Sequence, residues 1–243
     1  MSLKGKGVVV TRPASLAQGL ASLVEGAGAR VFLFPAVEIE PLTPAQPAGK
    51  IDLALFISPT AVREGLKFLP QGFLPQGPRI VALSHGTRRE LERHGIPGAM
   101  AAEEGADSEA LLALAELQQV AGRRIAIFRG EGGRELLGET LRGRGARVEY
   151  VECYRRVRPR SDPAPLLAAW KSGGLHAVTV SSAQGLANLF ALLDPGLLHG
   201  LPLFVPHARV ADEARRLGAG QTRVAGPADD EMFAALVAYF ETR

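Results

Sequence analysis

A chain of 243 residues, 47% hydrophobic and 22% charged, can bury one large core or two small ones and has the composition of an ordinary water-soluble protein. Its net charge of +3 is too small to imply nucleic acid, no apolar run approaches the ~18–20 residues of a membrane helix, and a single cysteine, Cys153, excludes an internal disulfide framework. With an N-terminal MSLKGKG that lacks the apolar segment of a signal peptide, these features predict a cytoplasmic protein.

Gly7 to Arg12 reads as a short buried strand, and Pro13 then suits the first turn of a helix with the apolar stripe Leu16, Leu20, Leu23 and Val24. Ala29 to Phe34 is a second strand. Pro35 to Pro47 holds four prolines and no helical period, which predicts a linker or loop. Ile51 to Ile57 is a strand ending at Ser58-Pro59, before a helix carrying Ala61, Val62, Leu66 and Leu69. A turn-rich loop, Pro70 to Pro78, precedes the strand Arg79 to Leu83, the turn Ser84 to Thr87 and a helix ending at Gly95. Asp107 then begins a helix running to about Gln119.

The pattern begins again at the strand Ile125 to Phe128, the helix Arg134 to Gly143 and the strand Ala146 to Tyr154. Pro159 to Pro165 leads into a helix, Leu166 to Lys171. The strand Ala177 to Val180 ends at Ser181-Ser182 before the helix Gln184 to Leu193. Leu203 to Val205 is a strand ending at Pro206 to Arg209, with a helix to Gly218 and a last helix from Asp229 to about Phe240. Gly28-Ala29-Arg30-Val31 matches Gly145-Ala146-Arg147-Val148 at an offset of 117. Ser58, Thr87, Gly95 and Asp107 match Ser181, Arg209, Gly218 and Asp229 at offsets of 122 or 123. Five matches in order, each in a strand–turn–helix context, imply two related halves of about 120 residues.

Alternating strands and helices imply parallel sheets covered on both faces, which bind ligands beyond the carboxyl ends of their strands. The turns at those ends form the candidate rim, and two domains with facing rims would form a cleft. The most informative of these turns is Arg129-Gly130-Glu131-Gly132-Gly133, between the strand IAIF and a helix. Its glycines permit positive φ and close approach of a ligand, the helix start offers free N–H groups, and Arg129 and Arg134 flank it. This reads as an anion-binding turn. From Arg123 to Arg160 eleven arginines stand against five glutamates, an excess that would suit an acidic partner or a solvated surface.

Other chemistries lack their motifs. Gly130 to Glu135 has glutamate where a dinucleotide fingerprint needs its third glycine, and no P-loop lysine motif exists. The five histidines are scattered without metal-ligand spacing, although His85 and His207 occupy matching turn mouths. Ser58, Ser181 and Ser182 lack nucleophile-elbow glycines and read as helix caps, as do Asp107 and Asp229. Tyr154 stands at the end of an apolar strand beside Arg155-Arg156, next to a domain junction.

The ordered set of these motifs resembles the uroporphyrinogen-III synthase family over nearly the whole chain. It comprises VVVTRP at Val8 to Pro13, a strand ending in Ser58 with Ala61-Val62 after it, and Thr87 followed by Leu91 and Gly95. DSEALL at Asp107 to Leu112, FRGEGGRELL at Phe128 to Leu137, GARV and YRR between Gly145 and Arg156, and Ser181 complete it. Ser84 and Pro206 depart from the family's usual glycine, and Arg209 from a frequent threonine.

The resemblance implies an α/β fold of two similar parallel-sheet domains, flavodoxin-like or Rossmann-like, joined by a two-stranded linker. The first βαβ unit would be swapped into the C-terminal domain, giving one domain from residues 1–36 plus 158–243, another from 42–152, and linkers at 37–41 and 153–157. It implies a lyase that dehydrates and cyclises hydroxymethylbilane to uroporphyrinogen III with inversion of ring D, without cofactor or metal. The implied partner is that polycarboxylated tetrapyrrole, with transient contact to the enzyme that makes it, no nucleic acid, no membrane and a monomeric state. Thr11, Arg12, Pro13, Ser58, Ser84, Thr87, Arg129, Gly130, Glu131, Gly132, Gly133, Arg134, Ser181, Ser182 and Arg209 would hold the substrate, and Tyr154 is the candidate proton donor. The competing reading is a non-catalytic binding or regulatory protein of the same fold.

Overall fold

The computed structural model describes residues 3–47, 49–69, 73, 77–102 and 107–242. In chain order the elements are β1 (Gly7–Val10), α1 (Ala14–Gly26), β2 (Arg30–Leu33), β3 (Glu38–Pro41), β4 (Leu53–Phe56), α2 (Pro59–Gly65), β5 (Arg79–Ala82), α3 (His85–Arg93), β6 (Met100–Ala101), α4 (Ser108–Leu112) and α5 (Ala115–Gln118). They continue with β7 (Arg124–Gly130), α6 (Leu136–Gly143), β8 (Arg147–Val157), α7 (Ala164–Lys171), β9 (Ala177–Thr179), α8 (Ala183–Leu192), α9 (Pro195–Gly200), β10 (Pro202–Val205), α10 (Ala208–Arg216), β11 (Gln221–Val224) and α11 (Asp229–Glu241). The chain divides into two compact units, Met1–Glu38 with Val157–Arg243, and Ile39–Arg156.

The sheet of the first unit has the order β11-β10-β9-β1-β2, with every neighbouring pair parallel. The second sheet has the order β3-β8-β7-β4-β5-β6, parallel from β8 to β6. Apart from β3 the two orders correspond strand for strand: β2, β1, β9, β10 and β11 match β8, β7, β4, β5 and β6. The sequence repeat falls on these pairs, since Gly28 and Gly145 precede β2 and β8, and Ser58 and Ser181 follow β4 and β9. In the first unit β1 and β2 come from the start of the chain and β9 to β11 from its end.

Consecutive side chains on a strand point to opposite faces, so a strand covered by helices on both sides must be apolar at every position. Val8 and Val10 pack with Leu20 and Val24 of α1 and Met232 and Leu236 of α11, whereas Val9 joins Leu186 and Leu189 of α8 and Val210 of α10. In the second unit Leu53, Leu55, Ile125 and Ile127 face Leu111 of α4 and Leu137 and Leu141 of α6. Ala54, Phe56, Ala126 and Phe128 face Ala61 and Val62 of α2 and Leu91 of α3. Phe56 and Phe128 stack at 4.4 Å between ring centres, adding about 0.5–1.5 kcal/mol to their burial.

Several expectations from the sequence change. Pro35 to Pro47 is not wholly irregular: β3 lies beside β8, with Leu42 N–H donating to Cys153 O at 2.9 Å. The helix expected from Asp107 to Gln119 is two short helices broken at Ala113-Leu114, and α6 begins two residues after Arg134. Strands β6 and β11 and helix α9 escape the sequence reading, being short or only partly buried. Leu23 lies 40% exposed, because Ala17, Leu20 and Val24 supply the buried side of α1. The loop expected at 70–78 lies outside the described residues except 73, 77 and 78. Asp107 caps α4 as expected, but Asp229 is the first residue of α11 and not its cap.

Glu90 of α3 is buried against α2, where it accepts from Arg63 Nε at 2.6 Å and Nη2 at 3.3 Å and from Arg93 at 3.2 Å. The Arg63 hydrogen bond holds its carboxyl below the ordinary 4.5, against the opposing effect of burial. A carboxyl depressed on folding stabilises the native state above its unfolded pKa, and that stability is lost as pH falls through the folded value. Glu90→Gln is therefore expected to lower the urea midpoint at pH 7 and to weaken the decline below pH 4.5. Identical midpoints for variant and parent from pH 7 to 3 would contradict this role.

Candidate functional site

In the second unit β7 leads through α6 to its neighbour β8 on one side, and β4 leads through α2 to β5 on the other. The chain thus departs in opposite directions from the carboxyl ends of β4 and β7, the arrangement that opens a ligand crevice in sheets of this type. Ser58 and the turn Gly130 to Gly133 stand at that point. In the first unit β1 and β9 have the same relation, with Thr11-Arg12-Pro13 and Ser181-Ser182 at their ends.

The turn after β7 is built around Arg129, which is 2% exposed. Its Nε donates to Gly130 O at 3.2 Å, its Nη1 to Glu135 at 3.0 Å and its Nη2 to Gly132 O, while the guanidinium lies 4.5 Å from the centre of the Tyr150 ring. This corrects the expectation of a free ligand-binding arginine. A buried guanidinium needs partners for its donors, and here they come from the turn itself. Arg129 braces a backbone in which Gly132 and Gly133 adopt φ of 70° and 103°. The N–H groups of Glu131 and Gly132 are also engaged, by Tyr154 O at 2.7 Å and Glu152 at 3.3 Å. What the turn offers outward is the start of α6, which has no side-chain cap, and Arg134. Arg134 is 69% exposed and pairs with Glu109 at 3.1 Å, a surface contact of about 0–1 kcal/mol that a ligand carboxylate can replace.

Beside this turn a cavity of about 280 Å³ opens at the ends of β4, β5 and β7, with Ile57, Leu83, Ile127, Leu137 and Tyr150 as apolar walls and Arg134 at its margin. Burial holds the Tyr150 phenol above its ordinary 10.0, assisted by the Glu135 carboxylate. Glu135 is in turn held below its ordinary 4.5 by Tyr150 and then by Arg129.

Ser58 caps α2, accepting from Ala61 N–H at 3.0 Å, and its hydroxyl lies 3.1 Å from that of Tyr154. Tyr154 is not an open group on a linker but is 1% exposed in the core of the second unit, and Arg156 Nη2 donates to its hydroxyl at 3.1 Å. It points there because β8 bulges: Arg129 pairs with Glu152 and Gly130 with Tyr154, so Cys153 is the additional residue. Tyr154 consequently shares the face of Val151 and Cys153, away from Tyr150. Burial pushes the Cys153 thiol up to about 12. Ser84 caps α3 through Thr87 N–H at 3.2 Å, and Thr87 is fully buried inside that helix, contrary to a turn hydroxyl open to a ligand.

In the first unit Thr11 is likewise buried, donating to Thr179 O at 2.7 Å to tie β1 to β9. Arg12 reaches Asp229 at 2.5 Å and Pro227 O at 3.0 Å, so it is held against the start of α11. Pro13 is buried ahead of α1, and Ser182 caps α8 through Gly185 N–H at 3.0 Å with Ser181 half-buried before it. Arg209 stands exposed in the first turn of α10. Among the described residues no group of three or more His, Cys, Asp and Glu side chains could hold a metal ion.

A family model described as "Uroporphyrinogen-III synthase HemD" matches residues 18–234. Uroporphyrinogen-III synthase of Escherichia coli is 33% identical to the chain, covering 92% of it and 96% of the bacterial protein. That of Salmonella typhimurium is 34% identical with the same coverage. The chain belongs to the uroporphyrinogen-III synthase family. The crystal structure of uroporphyrinogen-III synthetase from Helicobacter pylori covers 98% of this chain and 100% of its own at a TM-score of 0.66 and 14% identity, so it shares the two-domain α/β fold.

Family membership makes the chain an enzyme of the lyase class in tetrapyrrole biosynthesis, and the comparisons give no support to a non-catalytic alternative. Among the described residues no helix is long and apolar enough to cross a membrane. The excess of arginine in Arg123 to Arg160 is largely consumed internally. Arg124 pairs with Glu149, Arg155 with Glu40, Arg142 lies over Tyr150, and Arg144 donates to the carbonyls of Leu112 and Leu117. The sequence reading missed Glu135, Tyr150 and Glu152 as supports of the glycine turn. Tyr150 and Glu152 share one face of β8 at a spacing of two, the one signal that pointed to them.

Proposed function

We propose that the chain converts hydroxymethylbilane to uroporphyrinogen III, eliminating water, closing the macrocycle and inverting ring D, with no cofactor. The observation that carries this reading is the match to uroporphyrinogen-III synthases across 92% of the chain. Loss of hydroxide from the substrate leaves a cationic azafulvenium end. Unassisted closure joins that end without inversion, so the protein's task is to impose one conformation on a flexible tetrapyrrole. The many acetate and propionate groups of the substrate are the handles for doing so.

The geometry supports dividing the predicted site residues into contacts and supports. We assign the receipt of carboxylates to Arg134, Arg209, Ser58, Ser181, Ser182 and the backbone of Gly133, with Ser84 and Glu131 on the same rims. Arg129, Thr11, Thr87, Arg12 and Pro13 hold the turns in shape from behind. We take the domains to be 1–36 with 158–243, and 42–152, a reading supported by the division of the chain into Met1–Glu38 with Val157–Arg243 and Ile39–Arg156. The enzyme acts as a cytoplasmic monomer that receives its unstable substrate from the enzyme that makes it, without nucleic acid or membrane. Incubating the purified chain with hydroxymethylbilane and separating the products tests the reading: isomer III is expected, and isomer I alone would refute it.

A further inference from the structure

Tyr154 does not present its hydroxyl to a ligand. The side chain is 1% exposed, and its ring lies so close to Gly130 that a Cβ there would come within 2.8 Å of it. The direction of its hydrogen bond with Arg156 follows from what that partner can give. Arg156 Nη2, 3.1 Å away, has only hydrogens to offer, so the phenol oxygen accepts from it and keeps its own proton to give; Ser58 Oγ lies 3.1 Å away, in a contact where either hydroxyl can donate. Ser58 Oγ also accepts from Ala61 N–H at 3.0 Å, and a backbone amide likewise only donates. With Tyr154 as the donor in that contact, both lone pairs of Ser58 Oγ are occupied and its proton points away from Tyr154 and Ala61; Ser58 is half-exposed at the carboxyl end of β4, and Arg156 stands exposed at the other end of the bonded set.

We propose that Arg156, Tyr154 and Ser58 form a one-way donor relay that presents the Ser58 hydroxyl, and not the phenol, to an oxygen of the substrate. Tyr154 and Arg156 are positioning residues that act through Ser58, each bond polarising the next. This inference rests on the function proposed above and names one donor of that site.

The test is a variant series assayed for isomer III against isomer I, with an exchange measurement independent of turnover. Ser58→Ala is expected to lower kcat/KM for isomer III about tenfold or more, the loss of one hydrogen bond to a charged or developing charged group. Ser58→Thr keeps the acceptors and the outward proton and is expected to restore most of that loss. Tyr154→Phe and Arg156→Gln lose less, and Tyr154→Phe combined with Ser58→Ala is no slower than Ser58→Ala alone. Multiplying losses, or a greater loss in Tyr154→Phe than in Ser58→Ala, would overturn the relay. In ζ-¹³C-tyrosine-labelled protein in equal H₂O and D₂O, the parent is expected to show two resolved Cζ lines for Tyr154, because its hydroxyl proton is held. These lines merge in Arg156→Gln and Ser58→Ala. A single averaged line in the parent would also overturn the relay. If the parent makes only isomer I, the function fails while the exchange measurement still decides the relay.

Discussion

Replacing Arg129 by alanine is expected to destabilise the second unit by roughly 3 kcal/mol and to cut isomer III formation tenfold or more, through loss of charge-assisted bonds and of the packing they hold. The arginine is 2% exposed and holds Glu135, the carbonyls of Gly130 and Gly132, and the face of Tyr150. Removing it leaves two glycines at positive φ without the brace that keeps them there. Lysine does not substitute, since one ammonium on a flexible stem cannot fork to three acceptors and stack on a ring. Arg134→Ala provides the contrast. Its surface pair with Glu109 contributes little, so stability should change by less than about 0.5 kcal/mol while KM rises. Urea unfolding beside the isomer-resolved assay checks both. An Arg129→Ala protein with the parent's urea midpoint would show that the guanidinium is not structural.

Gly7→Ala is expected to be the most damaging change in the first unit, costing roughly 3 kcal/mol because an inserted methyl has no room to relax. A Cβ at Gly7 would stand 1.9 Å from Gly174 O and 3.0 Å from the Phe32 ring, and the nearer of these is backbone. Gly7 is also fastened on both of its polar groups. Its N–H donates to His176 Nδ1 at 2.9 Å, and its carbonyl accepts from His176 N–H at 2.8 Å. Moving β1 to admit the methyl therefore disturbs the strand paired with both β2 and β9. Gly26→Ala at the end of α1 meets nothing within 4 Å and should be neutral or slightly stabilising by its helix propensity. Thermal unfolding of the two variants separates these outcomes, and equal midpoints would contradict the packing described.

The architecture was legible where its causes are local. The runs Val8-Val9-Val10, Leu53 to Phe56 and Ile125 to Phe128 are apolar without alternation because helices cover both faces of their strands. Read with the recurrence of Gly-Ala-Arg-Val and of the serine after a strand, they give two α/β halves and place the turns at the strand ends. Short elements were less legible: β6, of two residues, and β11, mostly exposed, carry too little apolar pattern to register.

The glycine turn after β7 shows where the sequence stops. By itself the sequence determined that Arg129 to Gly133 is a turn between a buried strand and a helix, that glycine is needed there, and which family carries it. Only the tertiary structure decided that Arg129 faces inward, since its acceptors and the Tyr150 face depend on how β8 and the start of α6 come to lie against β7. Thr11 is hidden for the same reason, its hydroxyl bonded to Thr179 O on another strand. The direction of Tyr154 depends on one extra residue, Cys153, in the ladder between β7 and β8. A bulge of that kind has no compositional mark, because a register is a property of two strands and not of either one alone. Unbroken alternation would have set Tyr154 beside Tyr150 and Glu152, whereas the bulge turns it toward Ser58.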